Sequence, residues 1–291
     1  MQPTHVSFPD GSTTGEGEVL LVDRDASVIV VDATPFHPVD HTWPDQPGDA
    51  GIMRVGDARV DIAEAVMAAI SDEGTLAVGT DIPVKRGGEG WTWLVGHRVA
   101  GDIPASVAAG AVVAMEVDAD RRAALSRGHT ACHLASLALD AALADLWRKE
   151  IGTDPLGNPD FEGRSNQSSR IHSDGSVDEY RLGKSLRKAG FDSEGFASSL
   201  PDREARINAK LAEWVASDAA SRIDTEGPSI IDRRSWRCDL PEGGVGFLCG
   251  GTHVTSLGEF ASITVSLDLS DPQLLVMTTT AVPAPSLASD A

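Results

Sequence analysis

Two short blocks constrain this chain more than any other feature. His129-Thr130-Ala131-Cys132-His133 offers two imidazoles four residues apart, and Cys249-Gly250-Gly251-Thr252-His253 offers a thiol and a third imidazole. Three nitrogen donors and one sulfur donor make a set that suits zinc. The spacing of the first block has meaning only on a helix, where residues one turn apart project side by side. In the second block, Gly250 and Gly251 permit a turn tight enough for Cys249 and His253 to face one point.

The surroundings favour that reading. Asp118 or Asp120 can cap a helix over 121–150, before Gly152 and Pro155 stop it. Leu134, Leu137, Ala138, Ala141 and Ala142 continue an apolar stripe at helical spacing, and Gly128 leaves room for a close approach. Residues 245–248 read as a strand that leads straight into Cys249.

Upstream of the helix the pattern is different. Short apolar runs at 18–22, 27–32, 52–61, 74–84, 91–99 and 111–117, separated by Gly-rich turns, suggest a small β-barrel or sandwich. Residues 1–17 read as a loose lead-in, and 62–71 as a short helix. Four prolines make 34–51 a stiff loop. His37 and His41 in that loop are also four apart, but off a helix the spacing is incidental, and they read as solvated.

Downstream, 166–171 and 176–182 flank a His172-Ser173-Asp174-Gly175 hairpin turn. Residues 185–190 and 201–223 read as helices, and 229–238 and 262–269 as strands. Strands and helices mix without regular alternation, so the class is α+β. The layout is a small β-barrel-like N-terminal domain (1–115), a C-terminal α/β two-layer zinc domain (116–280) and a flexible Pro/Ala/Ser tail (281–291).

Composition excludes several functions. The net charge of −20 repels nucleic acid at long range unless a basic patch intervenes. Arg203, Arg206 and Lys210 can form one such stripe, and Arg233, Arg234 and Arg237 another. Three cysteines without regular spacing do not make a disulfide framework, and a thiolate ligand requires reducing conditions. No signal peptide or membrane-spanning apolar run is visible, so a soluble cytoplasmic protein is expected. No P-loop signature is present.

Arg127-Gly-His-Thr-Ala-Cys-His-Leu134, followed by Leu248-Cys-Gly-Gly-Thr-His-Val254 and Gly258-Glu259-Phe260, resembles the editing domain of alanyl-tRNA synthetases. It resembles in particular the freestanding alanyl-tRNA editing proteins of the AlaX type. Thr34-Pro-Phe-His-Pro38, Asp45-Gln-Pro-Gly-Asp-Ala-Gly51 and the Gly110 to Arg122 join agree more loosely, so the resemblance runs over about 19–269. It implies a zinc-dependent hydrolase that deacylates alanine tRNA mischarged with serine or glycine. By position it implies His129, His133, Cys249 and His253 as zinc ligands and Gln167 as a substrate-pocket residue. Thr130 and Thr252 stand beside ligands, where they can hydrogen-bond a serine hydroxyl; His172 and Asp174 are candidate proton carriers.

The chain departs from the family at Val39-Asp40-His41-Thr42-Trp43-Pro44, where consecutive glycines are expected, and in its acidity. Both departures motivate two other readings. One is a zinc hydrolase of a small aminoacyl ester or amide; the other is a non-catalytic binding protein with structural zinc.

Overall fold

The computed structural model describes residues 1–285, in two compact units. The first comprises Met1–Ala123 with Ile223–Ser235 and Leu248–Thr252; the second comprises the rest of the described chain. The class is mixed α+β, as expected.

The first unit contains strands β1 (His5–Val6), β2 (Thr14–Asp23), β3 (Val28–Val31), β4 (Ala33–Thr34), β5 (Gly51–Val55), β6 (Ala58–Ser71), β7 (Leu76–Val78), β8 (Trp91–Val99) and β9 (Val112–Val117). Seven of these form one sheet in the order β5-β9-β2-β3-β8-β6-β7, paired antiparallel, with β5 also paired to β6. β1 and β4 pair in parallel.

Several expectations fail in this unit; the strand expected over 74–84, for one, is confined to β7 and gives way to a 3-10 turn at Gly79–Asp81. Residues 62–71, expected as a helix, lie inside β6. Their composition suits a helix, but tertiary pairing overrides propensity. Ala65, Met67 and Ala69 face one core, with Ile29, Phe36 and Trp93, while Val66 and Ala68 face another, with Val28, Val30 and Leu94. A strand can feed two cores from alternate positions; one face of a helix cannot. The lead-in is also ordered: Thr4 and Phe8 are buried, and the main chain of Val6 bonds Pro228.

The second unit holds most of α1 (Ala119–Ala142), then α2 (Glu162–Ser165), β10 (Asn166–His172), β11 (Gly175–Arg181), α3 (Lys184–Ala189), α4 (Ser193–Ser198) and α5 (Leu200–Ala216). Strands β12 (Ser221–Thr225), β13 (Arg234–Leu240) and β14 (Gly243–Leu248) form a three-stranded sheet. β15 (Phe260–Asp271) and β16 (Leu274–Pro283) complete a four-stranded antiparallel sheet, β10-β11-β16-β15.

α5 blunts the β15 edge of that sheet. Asn208 Nδ2 donates to the Val265 carbonyl at 3.0 Å, its Oδ1 accepts from the Val265 N–H at 2.7 Å, and Glu204 accepts from Leu267 N–H. Both long helices stop earlier than periodicity indicates. α1 ends at Ala142, whose carbonyl accepts from buried Arg203 at 2.7 Å. α5 ends at Ala216, just before Asp218 takes a left-handed conformation (φ 52°). The strand expected over 229–238 begins only at Arg234 and runs to Leu240. β16 carries residues 281–283 of the expected tail; 286–291 lie outside the described residues. Among the described residues no helix is long and apolar enough to cross a membrane.

Candidate metal centre

The helix that carries the first histidine pair starts where the sequence indicates. Asp118 Oδ1 accepts from the Arg121 N–H at 3.0 Å, satisfying a first-turn donor. Gly128 is required by contact: a Cβ there would collide with the carbonyl oxygens of His172 and Gly175. The helix therefore lies flush on the β10–β11 hairpin. The Asp174 N–H donates to the Ala124 carbonyl, and Arg127 Nε donates to Asp174 Oδ1 at 2.6 Å. Asp174 is thus engaged with Arg127, and His172 Nδ1 lies 3.0 Å from the Ser173 carbonyl within the turn. Neither candidate proton carrier contacts the histidine cluster.

His129 and His133 stand one turn apart with ring centroids 4.8 Å from each other, and His253 lies 4.4 and 5.1 Å from them. An aromatic wall backs them: Trp236 and Phe247, stacked at 5°, lie 5.1 and 5.2 Å from the His133 ring. The donor atoms of His129, His133, Cys249 and His253 all lie within 4.8 Å of one another, and this cluster can hold a metal ion.

Burial sets the protonation of these donors. It pushes His129 down to about 4, and burial together with neighbouring His129 pushes His133 well below its ordinary value. Both imidazoles are therefore neutral at pH 7, the form that ligates. Burial pushes the Cys249 thiol up to about 12, so a metal bound there must displace a proton. The Gly251 N–H points at Cys249 Sγ at 3.5 Å, helping the thiolate once it forms.

Thr130 and Thr252 are buried beside these donors and have distinct partners. Thr130 Oγ1 accepts from the Val254 N–H at 3.1 Å and lies 3.1 Å from His253 Nδ1. That contact fixes the His253 ring and leaves Nε2 as its other nitrogen. Thr252 is clamped twice by Gln46: Nε2 donates to its Oγ1 at 2.9 Å, and its N–H donates to Gln46 Oε1 at 3.0 Å. Gln167 lies at the bulge that opens β10, exposed, its amide donating to the adjacent Asn166 carbonyl at 3.0 Å. The structure brings Thr130 to His253 and Thr252 to Gln46, and leaves Gln167 on its own main chain.

The two histidines of the Pro-rich loop are buried rather than solvated, while Thr42, Trp43 and Pro44 are exposed. His37 and His41 are inside the first unit, the former edge-on to Phe8 at 5.0 Å, the latter bonded to the Val84 carbonyl and tilted on Trp93. Sequence reasoning missed what pins this loop. Arg122 forks onto fully buried Asp49, its Nε at 2.8 and 2.9 Å from the two oxygens, and also donates to the Pro35 carbonyl. Gln46 and Asp49 belong to a quoted motif, which was the available signal; their partners were not deducible.

The first basic stripe is paired off by acidic partners, and the second loses one of its three members to burial. Arg203 is buried on Asp145, Arg206 pairs with Asp202, and Lys210 pairs with Glu213 and Glu242. Arg234 is buried, while Arg233 and Arg237 are exposed.

No family model matches this chain. The alanine–tRNA ligase of Methanopyrus kandleri (strain AV19) is 25% identical to it over 243 residues, which cover 81% of this chain and 21% of the ligase. The chain thus spans about a fifth of the length of that relative.

Proposed function

We propose that this chain is a zinc-dependent hydrolase that deacylates alanine tRNA mischarged with serine or glycine, acting in trans in the cytoplasm. The observation that carries the reading is the cluster of three imidazoles and one thiol, in a chain whose relative is an alanine–tRNA ligase. The donor set fits zinc: three borderline nitrogens and one soft sulfur, with both helix imidazoles held neutral by burial. His129, His133, Cys249 and His253 would hold the ion. Bound zinc would supply Lewis-acid polarisation of an ester carbonyl and acidify a water molecule.

The protein's own part is positioning. Thr130 orients His253. Gln46 holds Thr252 by two hydrogen bonds, one to its hydroxyl oxygen and one from its main-chain N–H. Gln167 in this reading approaches the substrate only by leaving its local bonds. The same reading takes the seven-stranded sheet as a closed barrel, since β5 also pairs with β6, and 116–280 as the editing-like domain.

Two observations favour the alternatives. Four protein ligands fill a tetrahedron, as structural zinc does, and the charge of −20 disfavours tRNA. Metal analysis with deacylation of Ser-tRNA and of a small seryl ester decides among the three. Zinc with tRNA turnover supports the proposal, ester turnover alone supports the small-substrate hydrolase, and zinc without turnover supports a structural ion. Absence of bound metal overturns all three.

A further inference from the structure

The end of α1 carries a buried group of acids that the metal centre does not use. Asp140 is 2% exposed and stands in the last turn of that helix, where the helix dipole disfavours a carboxylate. Its Oδ1 accepts from the N–H groups of Phe161 and Glu162, each at 3.0 Å, and so ties α2 to α1. Glu162 brings a second carboxyl beside the first. Its Oε1 accepts from Asn166 Nδ2 at 2.8 Å, while Glu162 Oε2 and Asn166 Oδ1 are both enclosed without a hydrogen-bond partner among the described residues.

The groups that face these two carboxyls are acidic or neutral. From β11 come the Tyr180 hydroxyl and Asp178, which accepts from Ser176 Oγ at 2.7 Å and from Cys132 of α1 at 3.3 Å. The loop before α2 adds Asp154, which accepts from the N–H groups of Leu156 and Asn158, and Asp160, which accepts from the Gly163 N–H. Arg203, the cation that reaches this end of α1, is engaged by Asp145 and the Ala142 carbonyl. No Lys, Arg or His lies within ion-pair distance of Asp140 or Glu162 among the described residues.

Two enclosed acceptors lack a donor, and a proton on the Glu162 carboxyl supplies one. It also removes a charge that burial penalises. Burial, with Asp178 and Asp160 nearby, pushes Glu162 up to about 7. Burial, with Glu162, Asp154 and Asp160 nearby, pushes Asp140 up to about 8. Beyond these acids α2 runs straight into β10, where the ladder slips between Asn166 and Ser168 and leaves Gln167 out of register, its amide on the Asn166 carbonyl. The segment from Glu162 to Gln167 is thus anchored at its front by the carboxyl pair and ends at a break in the sheet.

We propose that Asp140 and Glu162 form a proton-operated latch: protonated, they keep α2 on the end of α1; ionised, they release α2 and the bulge that carries Gln167. The latch goes beyond the function proposed above and rests on it only for what a released Gln167 would touch. At low pH both carboxyls are protonated whether the latch is closed or open. As pH rises above the ordinary 4.5 of a glutamate, the open form gives up its protons while the closed form keeps them, so closure weakens up to about pH 8 and then levels off.

The test is hydrogen exchange by mass spectrometry on the full chain at pH 5 and pH 8.5, corrected for intrinsic rates, with β6 as the internal reference. Protection of residues 161–167 relative to β6 should fall roughly tenfold or more at the higher pH. Glu162→Gln, which keeps the shape and cannot ionise, should hold its protection across the range. Asp140→Asn leaves one carboxyl to titrate and should show a smaller fall. A fall as steep in both variants as in the wild-type chain overturns the latch. A wild-type chain with no fall overturns it too, whether or not the variants fold. A fall in protection without Ser-tRNA deacylation would sink the proposed function alone, and deacylation without that fall would sink the latch alone.

Discussion

The chain contains two pairs of histidines at the same four-residue spacing, and they have opposite fates. His129 and His133 lie on α1, where the spacing puts both rings on one face, beside His253. His37 and His41 lie in a Pro-rich loop, where the rings go to separate neighbours, Phe8 and Trp93. Identical spacing yields a candidate ligand pair in one case and two packing residues in the other. The backbone conformation, not the interval, supplies the geometry.

The sharpest way to break this comparison is to delete one member of each pair. His133→Ala should lower zinc affinity by more than the roughly 10- to 100-fold that losing a ligand's supporting hydrogen bond costs. His37→Ala and His41→Ala should keep a full complement of zinc by elemental analysis. Zinc loss from the loop variants would end the distinction.

The loop pair depends on the clamp that buries it. Asp49→Ala leaves the Arg122 guanidinium buried without its carboxylate, and should cost about 3–5 kcal/mol in urea denaturation. A cost near zero would mean that the loop is not held by this pair.

The helix pair carries a pH signature. His129 is depressed to about 4 in the fold, from an ordinary 6.5. Above pH 6.5 neither state is protonated, and no penalty exists. As pH falls from 6.5 towards 4 the unfolded chain gains a proton that the folded one refuses, so chelated protein should lose stability across that window. The loss attributable to His129 is on the order of 3 kcal/mol by pH 4. In His129→Gln that part of the slope, read from urea midpoints at pH 7 and 4.5, should vanish; an unchanged slope would count against a buried neutral imidazole.

The smallest expected effect concerns orientation. Thr130→Val removes the hydroxyl beside His253 Nδ1 while keeping the shape, and should weaken zinc binding roughly 10- to 100-fold without unfolding the helix. Equal affinity in the variant would make Thr130 a packing residue only.

Much of the centre was legible in advance because its information is local. The cap at Asp118, the helix under His129 and His133, the close approach at Gly128 and the glycine turn after Cys249 each follow from a few neighbouring residues. What failed was non-local. β6 has helix-forming residues, and only its strand partners β5, β7 and β8 and two cores make it a strand. Arg203, read from the sequence as a member of a solvated helix face or a basic stripe, instead caps the carbonyl of Ala142.

The sequence by itself determined the donor types, their spacing and the helix beneath two of them, since periodicity and capping are written in consecutive residues. The tertiary structure alone decided the partners: Asp49 for Arg122, Gln46 for Thr252, one shared carbonyl for Arg86 and Arg234. Pairings of that kind join residues far apart in the chain. Burial then makes each one obligatory, because a buried polar group without a partner is too costly to keep.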